Sequence, residues 1–211
     1  MEGIDSIDPK LQEYVEQHIL PRYDHFDLAH RRDHALTVIR QSLALAAHYD
    51  VDHNMVYAIA AYHDTGLAEG REQHHLVSGR IIRDDASLRQ WFDEGQITVM
   101  AEAAEDHRAS SDHEPRSIYG KIVAEADRDI EPLTIIRRTV QYGRSHYPDL
   151  DREQQWCRTL EHLHQKYADG GYLKLWIPES PNAQRLEQLR AIIRDEVQLR
   201  TIFDTLYNQP Q

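Results

Sequence analysis

The sequence predicts an all-α fold, a helical bundle in a single compact domain. Apolar residues recur at helical spacing along most of the 211 residues, the signature of amphipathic helices. No segment sustains the apolar/polar alternation between hairpin turns that strands require. A chain of this length can bury one sizeable core, and no repeat, low-complexity tract or linker divides it.

A first helix is expected over 9–20, closed by Pro21, with Leu11, Tyr14, Val15 and Ile19 on its apolar face. The next starts near Arg31 or Asp33 and carries Leu36, Ile39, Leu43 and Ala47, so His34 falls in its first turn. The segment 52–63 holds Met55, Val56, Ala58, Ile59, Ala60 and Ala61. Being apolar almost all round, it reads as a central helix enclosed by others. Asp52 is its expected cap, and it runs out at Thr65-Gly66, which places His63 and Asp64 at its carboxyl end. Further helices are expected over 72–84 and over 95–106, the latter with Ile97, Met100, Ala101 and Ala104 inward. The polar stretch 108–116 reads as a loop. Ser117 then caps a helix whose core face is Tyr119, Ile122, Val123 and Ala126, with Asp127 one turn beyond Val123 on the same side. A carboxylate so placed is costly to bury unless it is paired or bound to a metal. Helices over 132–145, 152–167 and 182–206 complete the chain. Between the last two, the segment 168–181 contains Tyr172, Leu173, Leu175 and Trp176, too apolar for a free linker, and is expected to pack on the bundle or to act as a lid.

The net charge of −12, from 36 acidic against 24 Lys and Arg residues, argues against general binding to nucleic acid or anionic membrane. It leaves room for a small basic pocket. The single cysteine, Cys157, excludes an intrachain disulfide and reads as a small packed residue. The amino terminus has acidic residues and no apolar signal region, and no stretch approaches the ~20 apolar residues of a membrane span. A cytoplasmic location is the expectation, and a homodimer is left open.

Four side chains carry the chemistry: His34, the adjacent His63 and Asp64, and the distant Asp127. Two neutral imidazoles and two carboxylates suit a hard or borderline divalent cation such as Mn, Mg, Fe, Co, Ni or Zn. A cation so held keeps positions open for water and a substrate oxygen, and points to metal-assisted hydrolysis.

In their local contexts, AHRRDHALTVI, AYHDTGL and VAEADRD, these residues resemble the HD superfamily of metal-dependent phosphohydrolases. The resemblance covers roughly residues 28 to 130 and is nearest to small stand-alone bacterial HD hydrolases, some of which act on nucleotides. It implies an all-α bundle, a metal on His34, His63, Asp64 and Asp127, and hydrolysis of a phosphoester or phosphoanhydride in a small phosphorylated metabolite. In some members extra histidines between the HD pair and the final Asp hold a second metal. His75 and His107 are the candidates for that role, or they line the pocket of a one-metal enzyme. One metal per chain is the expectation.

An anionic substrate also needs positive charge. His30 and Arg31 precede the first ligand, while Arg71, Arg108, Lys121 and Arg128 lie near the others. Arg108 and Lys121 are the preferred substrate contacts. Glu69, Glu72, Asp106 and His107 are the polar candidates for a general acid. Two other readings compete: a di-iron oxygenase, since related HD-fold proteins include such enzymes, and a non-enzymatic sensing or partner-binding module stapled by its metal.

Overall fold

A computed structural model describes residues 7–26, 32–111 and 113–209. Among them no residue lies in a strand, and ten α-helices with short 3-10 and π turns make up the secondary structure. Two compact units can be distinguished, residues 1–128 with 176–180, and residues 129–175 with 181–211. No linker or low-complexity tract marks a boundary between them.

The first unit begins with α1 (Pro9–Tyr14), whose N-cap Asp8 accepts from the amides of Lys10 and Leu11. The expected helix over 9–20 continues as a π turn, Val15–Ile19, and a 3-10 turn, Leu20–His25. Leu11, Val15, Ile19 and Tyr23 stay buried at a spacing of four through all three. Next come α2 (Arg32–Ala46) and α3 (His53–Tyr62). Asp52 caps α3 as expected, and every residue from Met55 to Tyr62 is buried, because α2, α5 (Glu94–Glu105) and α6 (Ile118–Asp127) all pack on it. Leu36, placed on the core face by the sequence, is 41% exposed. Ala35, Val38, Ile39 and Ser42 take the inner face of α2 instead.

A fourth helix, α4 (His74–Asp84), lies between α5 and the 3-10 turn Thr65–Glu69 that follows the central helix. Two glycines permit this. A Cβ on Gly66 would stand 2.0 Å from the His74 carbonyl oxygen, and one on Gly79 would stand 2.9 Å from that of Ala101. The Gly66 amide donates to the Ser78 hydroxyl at 2.9 Å, which holds α4 against the turn. Residues 176–180 belong to this unit: the Trp176 amide donates to Glu125 Oε2 at 2.8 Å and Ile177 joins the core. That part of the apolar 168–181 segment is packed.

The second unit comprises α7 (Pro132–His146), α8 (Arg152–Tyr167), α9 (Asn182–Arg194) and α10 (Glu196–Tyr207). The single helix expected over 182–206 is broken at Asp195, whose backbone leaves the helical region and whose carboxylate accepts from the Gln198 amide. Aspartate competes for backbone donors in this way and so favours caps over helix interiors. Trp156 and Phe203 meet edge to face at 5.3 Å in its interior. Cys157, expected to pack, is exposed on α8.

Candidate metal centre

His34 enters the centre from the first turn of α2, His63 and Asp64 from the end of α3, and Asp127 from the last residue of α6. These are the four residues singled out by sequence. His34 Nε2 lies 3.1 Å from Asp127 Oδ1 and 3.8 Å from Asp64 Oδ2. His63 Nε2 lies 3.3 Å from Asp64 Oδ2 and 3.8 Å from Asp127 Oδ1. Donor atoms of His34, His63 and Asp127 thus form one group within 4.8 Å of one another.

A second group of the same compass consists of Asp64, His74 and His107. His74 Nε2 is 3.4 Å and His107 Nε2 3.3 Å from Asp64 Oδ1, and the two nitrogens are 3.2 Å apart. Asp64 therefore serves both groups, turning Oδ2 to the first and Oδ1 to the second.

The tautomers follow from the backbone. Nδ1 of His63, His74 and His107 lies 2.8, 2.8 and 2.6 Å from the carbonyl oxygens of Ala60, Arg71 and Ala104, in each case three residues earlier. A carbonyl can only accept, so each Nδ1 carries the proton and a neutral ring presents a bare Nε2. His63 Nε2 is buried with no hydrogen-bond partner. Burial, and next the neighbouring His107, bring the His74 pKa down to about 4, so its ring is neutral at pH 7. Lone pairs of imidazole and carboxylate therefore face one another across a few ångströms in a largely dry site. Such an array is costly when left unpaired and is what a divalent cation satisfies.

Charge reinforces the fit. Burial opposes ionisation of Asp64, but the attraction of His63 and His107 in their protonated forms outweighs it and holds the carboxyl well below its ordinary value; a cation standing in place of those protons would act in the same sense. Asp127 is likewise held low: burial is opposed by His34 and His63. The His63 and His107 side chains are 0% and 2% exposed, against 23% for His34 and 26% for Asp127. Solvent reaches the centre past His34 and Asp127.

The other sequence candidates distribute unevenly. The α4 histidine that the structure brings to Asp64 is His74, and not His75, the candidate on this helix from the sequence. His74, Ser78 and Ile82 follow one another at a spacing of four, and Ser78 and Ile82 are buried. The corresponding row from His75 runs through Gly79 to the exposed Arg83. That difference is legible in the sequence. The His75 ring lies 5.6 Å from that of His74, and its buried Nδ1 lacks a hydrogen-bond partner. Arg108 donates to the Glu72 carbonyl at 2.8 Å, while Lys121 pairs with Glu114 at 2.5 Å. Arg128 is buried and donates to the Ala124 carbonyl. Glu69 pairs with Arg80 at 2.5 Å on the surface. Asp106 is locked by Arg116 and His113, at 2.7 Å from the Arg116 amide and 3.0 Å from His113 Nε2, so it braces the chain next to His107. His30 and Arg31 lie outside the described residues.

The family model for the HD domain matches residues 31–130, a span containing all six donor residues. Among solved structures the chain is similar to a predicted HD superfamily hydrolase from an uncultured Thermotogales bacterium, with a TM-score of 0.58 and 18% identity over 97% of each chain. At that identity the likeness is one of fold. No curated protein matches the chain.

Proposed function

We propose, from the premise that this chain is an HD-domain protein, that it is a metal-dependent phosphohydrolase acting on a small phosphorylated metabolite, with nucleotides the first class to test. The observation that carries the reading is Asp64, whose two oxygens serve two donor groups. His34, His63, Asp64 and Asp127 would hold one divalent cation, and Asp64, His74 and His107 a second. The sequence leads to an expectation of one cation, and the second donor group supports our proposing a further one. Bound there, divalent cations polarise a phosphoryl group and activate water near neutral pH.

The chain's own part is preorganisation. Carbonyls of Ala60, Arg71 and Ala104 fix three imidazoles in the tautomer that leaves Nε2 free, a device that orients ligands before anything binds. The buried His63 and His107 exclude water from the rear of the site, while His34 and Asp127 leave its front open. His75 and Arg108, beside the second donor group, are assigned contact with substrate phosphate.

Asp64→Ala removes the shared carboxylate and is expected to abolish divalent-dependent turnover while far-UV circular dichroism stays within a few per cent of wild type. The assay is a panel of nucleoside mono-, di- and triphosphates and simple phosphoesters with Mn, Mg, Fe, Co, Ni and Zn, reading inorganic phosphate and pyrophosphate. Undiminished hydrolysis by the variant would falsify the assignment.

The shared carboxylate also favours a second reading, a di-iron oxygenase. Two irons per chain and substrate-dependent oxygen uptake, without phosphate release from any member of the panel, would select it.

A further inference from the structure

The end of α3 is closed almost entirely by side chains. The Ala60 carbonyl accepts from His63 Nδ1, that of Tyr62 from the Thr65 hydroxyl at 2.7 Å, and that of Ala61 from the Tyr23 hydroxyl at 2.9 Å. The same Tyr23 oxygen accepts from the Asp64 amide at 3.3 Å. In a continuing helix the Asp64 amide would turn to the Ala60 carbonyl, which His63 already engages. One phenol thus takes the place of helical pairing on both sides of the His63-Asp64 step, from a separate element, the 3-10 turn Leu20–His25.

We propose that Tyr23 is a positioning residue of the metal centre. By joining the Ala61 carbonyl to the Asp64 amide, it fixes the backbone from which Asp64 directs one carboxylate oxygen to each donor group. The inference rests on the two-cation reading of the site.

Three features suit Tyr23 to this task. Its side chain is wholly buried, so water cannot substitute for the hydroxyl. Its ring stands 6.4 Å from that of His63 and 5.4 Å from that of Phe26, which holds the hydroxyl in place. Burial, and then the Asp64 charge, keep the phenol neutral, and only the neutral form can donate and accept together. Phenylalanine preserves the ring and its packing but leaves a buried carbonyl and a buried amide unpaired.

The test titrates metal-free protein with Co²⁺, following heat and the visible d–d bands, for wild type, Tyr23→Phe and Leu88→Ala. Leu88 is buried in the 3-10 turn Ala86–Gln90 of the same unit and contributes no donor, so it controls for lost stability. Wild type should take up two equivalents. Tyr23→Phe should bind at least one of them about 10- to 100-fold more weakly, the range of outer-shell ligand partners, with altered d–d bands. Its kcat should fall on that scale while KM stays within about twofold, because the open mouth is untouched. Leu88→Ala should lose melting temperature and keep both affinities and the spectrum. Wild-type affinities and bands in Tyr23→Phe overturn the inference, whatever its melting temperature. Fewer than two equivalents in wild type overturn the two-cation reading, and the inference with it. Should Tyr23→Phe not fold, a site-specific 3,5-difluorotyrosine at position 23 changes the hydroxyl while keeping its shape. Displaced bands then support the role, and an unchanged spectrum refutes it.

Discussion

At the scale of single residues, what separates the histidines that face Asp64 from a neighbour that does not is where the second ring nitrogen is tied. His63, His74 and His107 each spend Nδ1 on a carbonyl three residues back and point Nε2 at Asp64. His75 is adjacent to His74 in sequence, yet about 100° of helical rotation takes it off the face shared with Ser78 and Ile82. His74→Ala is therefore expected to reduce bound metal from two equivalents to one, and His75→Ala to leave two. Elemental analysis after gel filtration in dilute Mn²⁺ decides this, and the opposite pattern would place His75 in the centre. The meeting of His34, His63, Asp64 and Asp127 is legible in the sequence because each sits in a short motif at a helix end. The choice between His74 and His75 was legible only in the i+4 and i+8 positions. Lys121, preferred in the sequence as a substrate contact, is engaged by Glu114, a partner that lies in the adjoining loop and carries no periodic signal.

At the scale of elements, the second donor group depends on how closely α4 approaches the turn after α3. That approach passes through Gly66, where any Cβ would collide with backbone and not with a movable side chain. Gly66→Ala should push α4 outward, costing about 1–3 kcal/mol of stability by overpacking, and should lose the metal equivalent that needs His74 while retaining the one on His34, His63 and Asp127. Denaturant titration and metal stoichiometry measure the two effects. An unchanged stoichiometry would mean that α4 is free to adjust without moving His74. Helix ends with caps were read well from sequence, as at Asp52 and Ser117, because a cap is local chemistry. The apolar period continues across the break at Asp195, so only the backbone shows that Asp195 caps α10. The π and 3-10 turns after α1 likewise keep the buried spacing of four and leave no mark in the sequence pattern.

At the scale of the whole molecule, charge is unevenly divided. The first unit holds 25 Asp and Glu against 13 Lys and Arg, and the second holds 11 of each, so the whole net charge of −12 belongs to the unit that carries the two donor groups. An acidic surround draws divalent cations by long-range attraction that salt screens over about 10 Å at 0.1 M. The dissociation constant for Mn²⁺ is expected to rise several-fold between about 0.02 M and 0.5 M sodium chloride, measured calorimetrically. An affinity indifferent to salt would show that only the buried donors govern binding.

By itself the sequence determined the helical class, most helix positions and the candidate donors His34, His63, Asp64 and Asp127. Periodicity, capping and short motifs are local, and local chemistry is written in consecutive residues. The tertiary structure decided that Asp64 faces two donor groups, that His74 completes the second, and that the Tyr23 hydroxyl closes the helix behind them. These depend on the approach of separate helices to within hydrogen-bonding distance, set by the absent side chain at Gly66 and by packing around α3. No residue pattern along the chain encodes where one carboxylate oxygen points.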